Sequence, residues 1–77
     1  MIVKWFRKAG HEQIWDNVQG LVYEDNEDRT LVQFDFISYS NGLSYATRKD
    51  IRDGIIRVYE GAGDAIATYR LGTDRGI

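Results

Sequence analysis

The chain has 77 residues, a net charge of −2 and no cysteine or proline. That length holds one domain with a modest core. It leaves no disulfide staple and no thiolate chemistry, and the single histidine leaves no structural zinc site. Twelve acidic side chains against ten basic ones are not the footprint of a general nucleic-acid binder. The opening Met-Ile-Val-Lys-Trp-Phe-Arg is too short and too charged for a signal peptide. No apolar run approaches a membrane span. The expectation is a cytoplasmic protein that contacts no membrane and carries no cofactor.

Residues 2–7 read as a first strand with apolar residues on both faces, ended by a turn at Lys8-Ala9-Gly10-His11. Residues 12–24 have two readings. Ile14, Trp15, Val18, Leu21 and Val22 form a helical stripe. Against a helix stand the internal Gly20, the poor helix formers Asp16 and Asn17, and the lack of an N-cap before Glu12. A strand from Val18 is therefore expected, with Gly20 marking a bulge or bend and residues 14–17 forming a helical turn or irregular lead-in. Glu24-Asp25-Asn26-Glu27-Asp28-Arg29 is an acidic turn leading into the next strand.

Residues 30–47, TLVQFDFISYSNGLSYAT, organise the rest. Asn-Gly between alternating runs is the strongest short-range hairpin signal, because a type I′ turn needs positive φ at both central residues. With Asn41 and Gly42 as the loop, Tyr39 faces Ser44, Asp35 faces Arg48 and Val32 faces Ile51. The opposite charges of Asp35 and Arg48 support this register independently of the turn. Thr47 followed by Asp50, with Gly54 beyond, resembles a capped helical turn. Residues 55–60 form a strand, Gly61-Ala62-Gly63-Asp64 a loop and residues 65–71 the last strand. Residues 1–71 make one β domain, and residues 72–77 are expected to be a flexible tail.

The expected fold is all-β and mainly antiparallel: a small SH3-like barrel or sandwich of five to six strands with a short helical turn. The alternative is α+β, an antiparallel sheet with one helix over residues 12–22. The succession Val18-x-Gly20-x-Val22, Leu31-Val32-Gln33-Phe34-Asp35, Gly42-x-Ser44-Tyr45-Ala46-Thr47 and Asp50-Ile51 resembles the strand pattern of SH3-like barrels of the Tudor kind. The resemblance spans residues 18–58, carries no diagnostic motif and implies a binding module.

Catalytic signatures are missing. His11 sits in a turn, where an exposed structural role outweighs acid–base work. No Ser lies in a G-x-S-x-G motif. The Gly61–Gly63 loop lacks the Gly-Lys-Ser/Thr and the helix of a phosphate loop. The acidic run 24–28 lacks calcium-loop spacing; it is a solvated hairpin tip, or a surface for a basic partner. Arg48, Lys49, Arg52 and Arg57 are interleaved with Asp50 and Asp53, as on an ion-paired surface. Trp5 and Trp15 suit the core, yet two Trp, five Tyr and three Phe exceed what such a core needs. Tyr, Trp and Arg are also the hot-spot residues of interfaces.

The expectation is a non-enzymatic binding protein, of the kind found among bacterial or phage accessory factors and inhibitors. Its partner is another protein or a second copy of itself, as in a homodimer. A nucleic-acid or nucleoprotein reader built on an SH3-like module is the alternative. Alternation puts Val32, Phe34 and Phe36 on the core face and Gln33, Asp35 and Tyr39 on the other. The expected partner-binding residues are Asp35, Tyr39, Arg48, Arg52 and Arg57.

Overall fold

The computed structural model describes residues 1–7, 10–23 and 31–71. The expected acidic turn at 24–29, the Lys8-Ala9 part of the first turn and the expected tail at 72–77 lie outside them. Among the described residues the chain forms seven strands and no helix: β1 Ile2–Phe6, β2 Glu12–Trp15, β3 Val18–Tyr23, β4 Val32–Ser40, β5 Leu43–Ile51, β6 Gly54–Tyr59 and β7 Ala67–Leu71. They pair antiparallel in two sheets, β2-β1-β6-β7 and β3-β4-β5. The all-β, antiparallel expectation holds, with seven strands rather than five or six; the helix at 12–22 is overturned.

The physical reason lies in a bent strand that imitates helical spacing. Trp15, Val18 and Leu21 are three apart, and all three pack in or against the core. In a straight strand that spacing would alternate faces. Here each step contains an irregularity. The chain breaks at Asp16-Asn17 as it leaves one sheet for the other, and the β3–β4 register slips between Val18 and Gly20. Gln19 is the extra residue, so the bulge expected near Gly20 is present. The lead-in at 14–17 is not a helical turn. Ile14 and Trp15 pair in register with Lys4 and Val3, as part of β2.

The second expected helical turn is also absent. β5 runs unbroken to Ile51, with Thr47, Arg48, Lys49, Asp50 and Ile51 opposite Phe36, Asp35, Phe34, Gln33 and Val32. A continuous ladder and the burial of Ile51 beside Val32 outweigh a weak capping signal. Gly54 does have positive φ, at 88°, but it opens β6 rather than closing a helix. It lies beneath Trp5. A Cβ there would stand 2.6 Å from the Phe6 carbonyl oxygen and 2.8 Å from Trp5 Nε1. The same indole N–H donates to the Asp53 carbonyl at 2.8 Å, pinning β1 to the corner where the chain returns to the first sheet.

The two sheets share one core of Val3, Trp15, Val18, Val32, Phe34, Ile51, Ile56, Val58 and Leu71. Trp15 is its hub: its ring meets Phe34 edge-on at 4.9 Å and Trp5 in a stack at 6.3 Å. Val18 N–H donates to the Met1 carbonyl at 3.1 Å, and the Met1 amino group donates to the Val18 carbonyl at 3.3 Å. These bonds tie the starts of β1 and β3 across the sheets. Between the edge strands β3 and β7, the rings of Tyr23 and Tyr69 stack at 4.3 Å.

Candidate functional site

The β4–β5 hairpin outruns the sheet that supports it. β3 pairs with β4 only as far as Phe36, and two further bonds extend that support: Ile37 N–H to the Asn17 carbonyl at 3.1 Å, and Asn17 Nδ2–H to the Ile37 carbonyl at 3.5 Å. Beyond it β4 and β5 pair only with each other, from Ile37↔Ala46 to Ser40↔Leu43. Asn41 and Gly42 close the ribbon with φ of 53° and 77°, the two positive values a type I′ turn requires. All register pairs expected from the sequence are present.

Residues 37–47, ISYSNGLSYAT, contain no charged side chain. Tyr39 is 70% exposed, Leu43 59% and Tyr45 49%. Register places Leu43 and Tyr45 on the face that continues the core, with Ser38 and Ser40, and Tyr39 on the opposite face with Ile37, Ser44 and Ala46. Both faces of the ribbon therefore offer apolar or aromatic contact.

On the Tyr39 face, below the ribbon, Arg48 Nε donates to Asp35 Oδ1 at 3.0 Å, and both side chains remain accessible. The Asp35 hydrogen bond and then its charge raise the Arg48 pKa above its ordinary value; burial opposes them, and the charge of Asp50 adds the weakest push upward. Beside this pair, Gly20 carries no side chain and Val22 is exposed. A shallow cleft of about 240 Å³ results, lined by Gly20, Val22, Gln33, Asp35 and Arg48 among others. Its apolar lining and single ion pair suit contact with a side chain.

Of the five expected site residues, Asp35, Tyr39 and Arg48 share this outward face. Arg52 is exposed at the corner between β5 and β6. Arg57 lies on the other sheet, opposite Lys4, with its guanidinium 5.1 Å from the Phe6 ring centre. Lys49, grouped with them in sequence, points instead toward the Trp5 ring, 5.9 Å away. Leu43, Tyr45 and Val22 are not among these five, although Tyr45 joins Tyr39 beside the Arg48, Lys49, Arg52 and Arg57 cluster in the nucleic-acid alternative. The signal that marks Leu43 and Tyr45 is the charge-free run, which continues past the last residue of β4 that β3 can cover.

Among the described residues no three His, Asp or Glu side chains gather to hold a metal ion, and no helix is long and apolar enough to cross a membrane. His11 is exposed, and its carbonyl accepts the Arg7 N–H at 2.8 Å. Compared with protein-family models, curated proteins and solved structures, the chain matches none.

Proposed function

We propose that this is a non-enzymatic binding protein that uses the β4–β5 ribbon and the adjoining Asp35/Arg48 face to dock on a protein partner, which in one form is a second copy of the chain. The carrying observation is a ribbon that leaves its sheet uncharged and exposes Tyr39, Leu43 and Tyr45. A two-stranded ribbon is marginal by itself. Single exposed apolar residues are ordinary, but Leu43 and Tyr45 on one face and Tyr39 on the other give one short ribbon apolar surface on both sides, which a partner closing around it would cover. Interface centres are poor in charge and rich in tyrosine, and Tyr, Ser, Asn and Gly together are the composition of adaptable binding loops. Asp35 and Arg48 would supply a polar rim that orients the partner.

The SH3-like arrangement belongs to this proposal. Its support is the bent β2–β3 strand shared by both sheets, the β3-β4-β5 meander and the return of β6 to β1. A cytoplasmic setting, and a role as a bacterial or phage accessory factor or inhibitor, fit a short chain without Cys.

The test is capture of partners from a lysate, with and without nuclease, by the wild-type chain and by Tyr39→Ala/Leu43→Ser. A protein partner that survives nuclease and is lost with the variant supports the reading, as does a wild-type dimer in sedimentation that the variant dissociates. Equal capture by both proteins removes the ribbon as the site. Loss of every partner on nuclease treatment points to the nucleic-acid alternative.

A further inference from the structure

The outward face of the four-stranded sheet is a second surface, chemically opposite to the ribbon. Register brings Lys4, Arg57 and Arg70 onto it, with Phe6, Tyr59 and Thr68. Glu12, in register with Phe6, stands at its β2 edge. The face thus gathers three cations against one carboxylate on a chain whose net charge is −2. Among the described residues none of the three cations makes an ion pair; Asp35–Arg48 is the pair found there.

Lys4 and Arg57 are direct cross-strand partners. Like charges placed so are destabilising, and neither has an acidic residue opposite on its other side: Lys4 meets Ile14 there and Arg57 meets Thr68. The two side chains splay in opposite directions along the sheet. Lys4 Nζ lies 4.8 Å from the Tyr59 ring centre, and the Arg57 guanidinium 5.1 Å from that of Phe6. Arg70 is the diagonal neighbour of Arg57 on β7, about 7–8 Å away between backbones. The result is a surface on which three cations and two aromatic rings sit together among Ile2, Ile14 and Ile55.

We propose that this face binds single-stranded nucleic acid, with Lys4, Arg57 and Arg70 on phosphates and bases stacked on Phe6, Tyr59 or the Arg57 guanidinium plane. Rings set beside cations match a strand that offers phosphates and unstacked bases together. A duplex hides its base faces and would use the cations alone. An acidic protein would leave the rings without a stacking partner. This inference is independent of the ribbon: either surface can fail while the other stands.

The experiment is fluorescence anisotropy of the intact chain with short labelled oligothymidylate and oligouridylate. The expected result is saturable binding in which three phosphate contacts give a slope of about −2 in log affinity against log salt, so that affinity falls about 15–20-fold between roughly 50 and 200 mM salt. Lys4→Gln/Arg57→Gln/Arg70→Gln should abolish binding while its melting temperature stays level or rises, because the Lys4–Arg57 opposition is gone. Phe6→Leu/Tyr59→Leu, with an unchanged circular-dichroism spectrum, should weaken binding by about tenfold or more. Absence of saturable binding at the lowest salt overturns the proposal, as does undiminished binding by the triple variant. If a polyglutamate peptide or inorganic polyphosphate competes as well as the oligonucleotide and the leucine variant keeps full affinity, the face is a general anion surface and the nucleic-acid assignment is wrong.

Discussion

The two halves of the β4–β5 hairpin share strands, alternation and a continuous register, yet their surroundings differ completely. In the proximal half Val32 is 0% exposed and Phe34 2%, with Ile51 buried opposite Val32. In the distal half Tyr39, Leu43 and Tyr45 stand in solvent. Leu43 and Tyr45 even share the face that is buried lower down. The difference is whether anything lies across the face. Below Phe36, β3 extends the sheet and the other sheet packs over it; above Ile37 neither is present. Alternation therefore marks a face as apolar without saying whether the protein itself or a partner covers it.

The largest expected break in this comparison is Phe34→Ala. Removing a fully buried ring that meets Trp15 at 4.9 Å should cost about 3–5 kcal/mol, much of the stability of a domain this size. Urea denaturation should show a collapse of the midpoint. Gly42→Val comes next, because a β-branched residue is forced to positive φ at the ribbon tip; a loss of about 1–2 kcal/mol is expected. An unchanged melting temperature would mean that the distal ribbon relaxes without reaching the core.

Asp35→Lys sits at the boundary between the halves. It sets like charge opposite Arg48 within a ladder, so it should lower the melting temperature more than Asp64→Lys in the exposed loop between β6 and β7. Equal effects would show that the pair at 3.0 Å does not constrain the hairpin. Smallest for stability is Tyr39→Ala with Arg48→Ala: the fold, followed by circular dichroism, should be retained, since both residues are exposed. Partner binding should fall steeply in the same protein. Full-strength binding would shift attention from this face to the acidic run 24–28.

The β4–β5 hairpin was legible from the chain because its determinants are local. Asn41-Gly42 sets the turn, the alternation sets the faces, and Asp35 opposite Arg48 checks the register. β2 was not legible, because a break at Asp16-Asn17 and an extra residue at Gln19 give Trp15, Val18 and Leu21 the spacing of a helix. Thr47 and Asp50 misled for a related reason: a capping signal is weak next to nine residues of ladder already aligned by the turn. For the candidate site, the placement of Asp35, Tyr39 and Arg48 on one outward face could be read from parity alone. The removal of Arg57 to a different sheet could not, since that depends on β6 returning to β1 rather than extending the hairpin.

By itself the sequence determined an antiparallel β domain, its hairpin, its register and the two faces of that hairpin, because each follows from interactions between residues close along the chain or joined by a two-residue turn. Only the tertiary structure decided where the core stops. Burial at Phe34 and exposure at Tyr45 rest on strands contributed by remote segments, β1, β2, β3 and β6. The same holds for the cationic face, where Lys4 meets Arg57 and Arg70 because β1, from the start of the chain, pairs beside the consecutive strands β6 and β7. Charge that is dispersed and unremarkable along the sequence becomes concentrated when cross-strand spacing replaces chain distance.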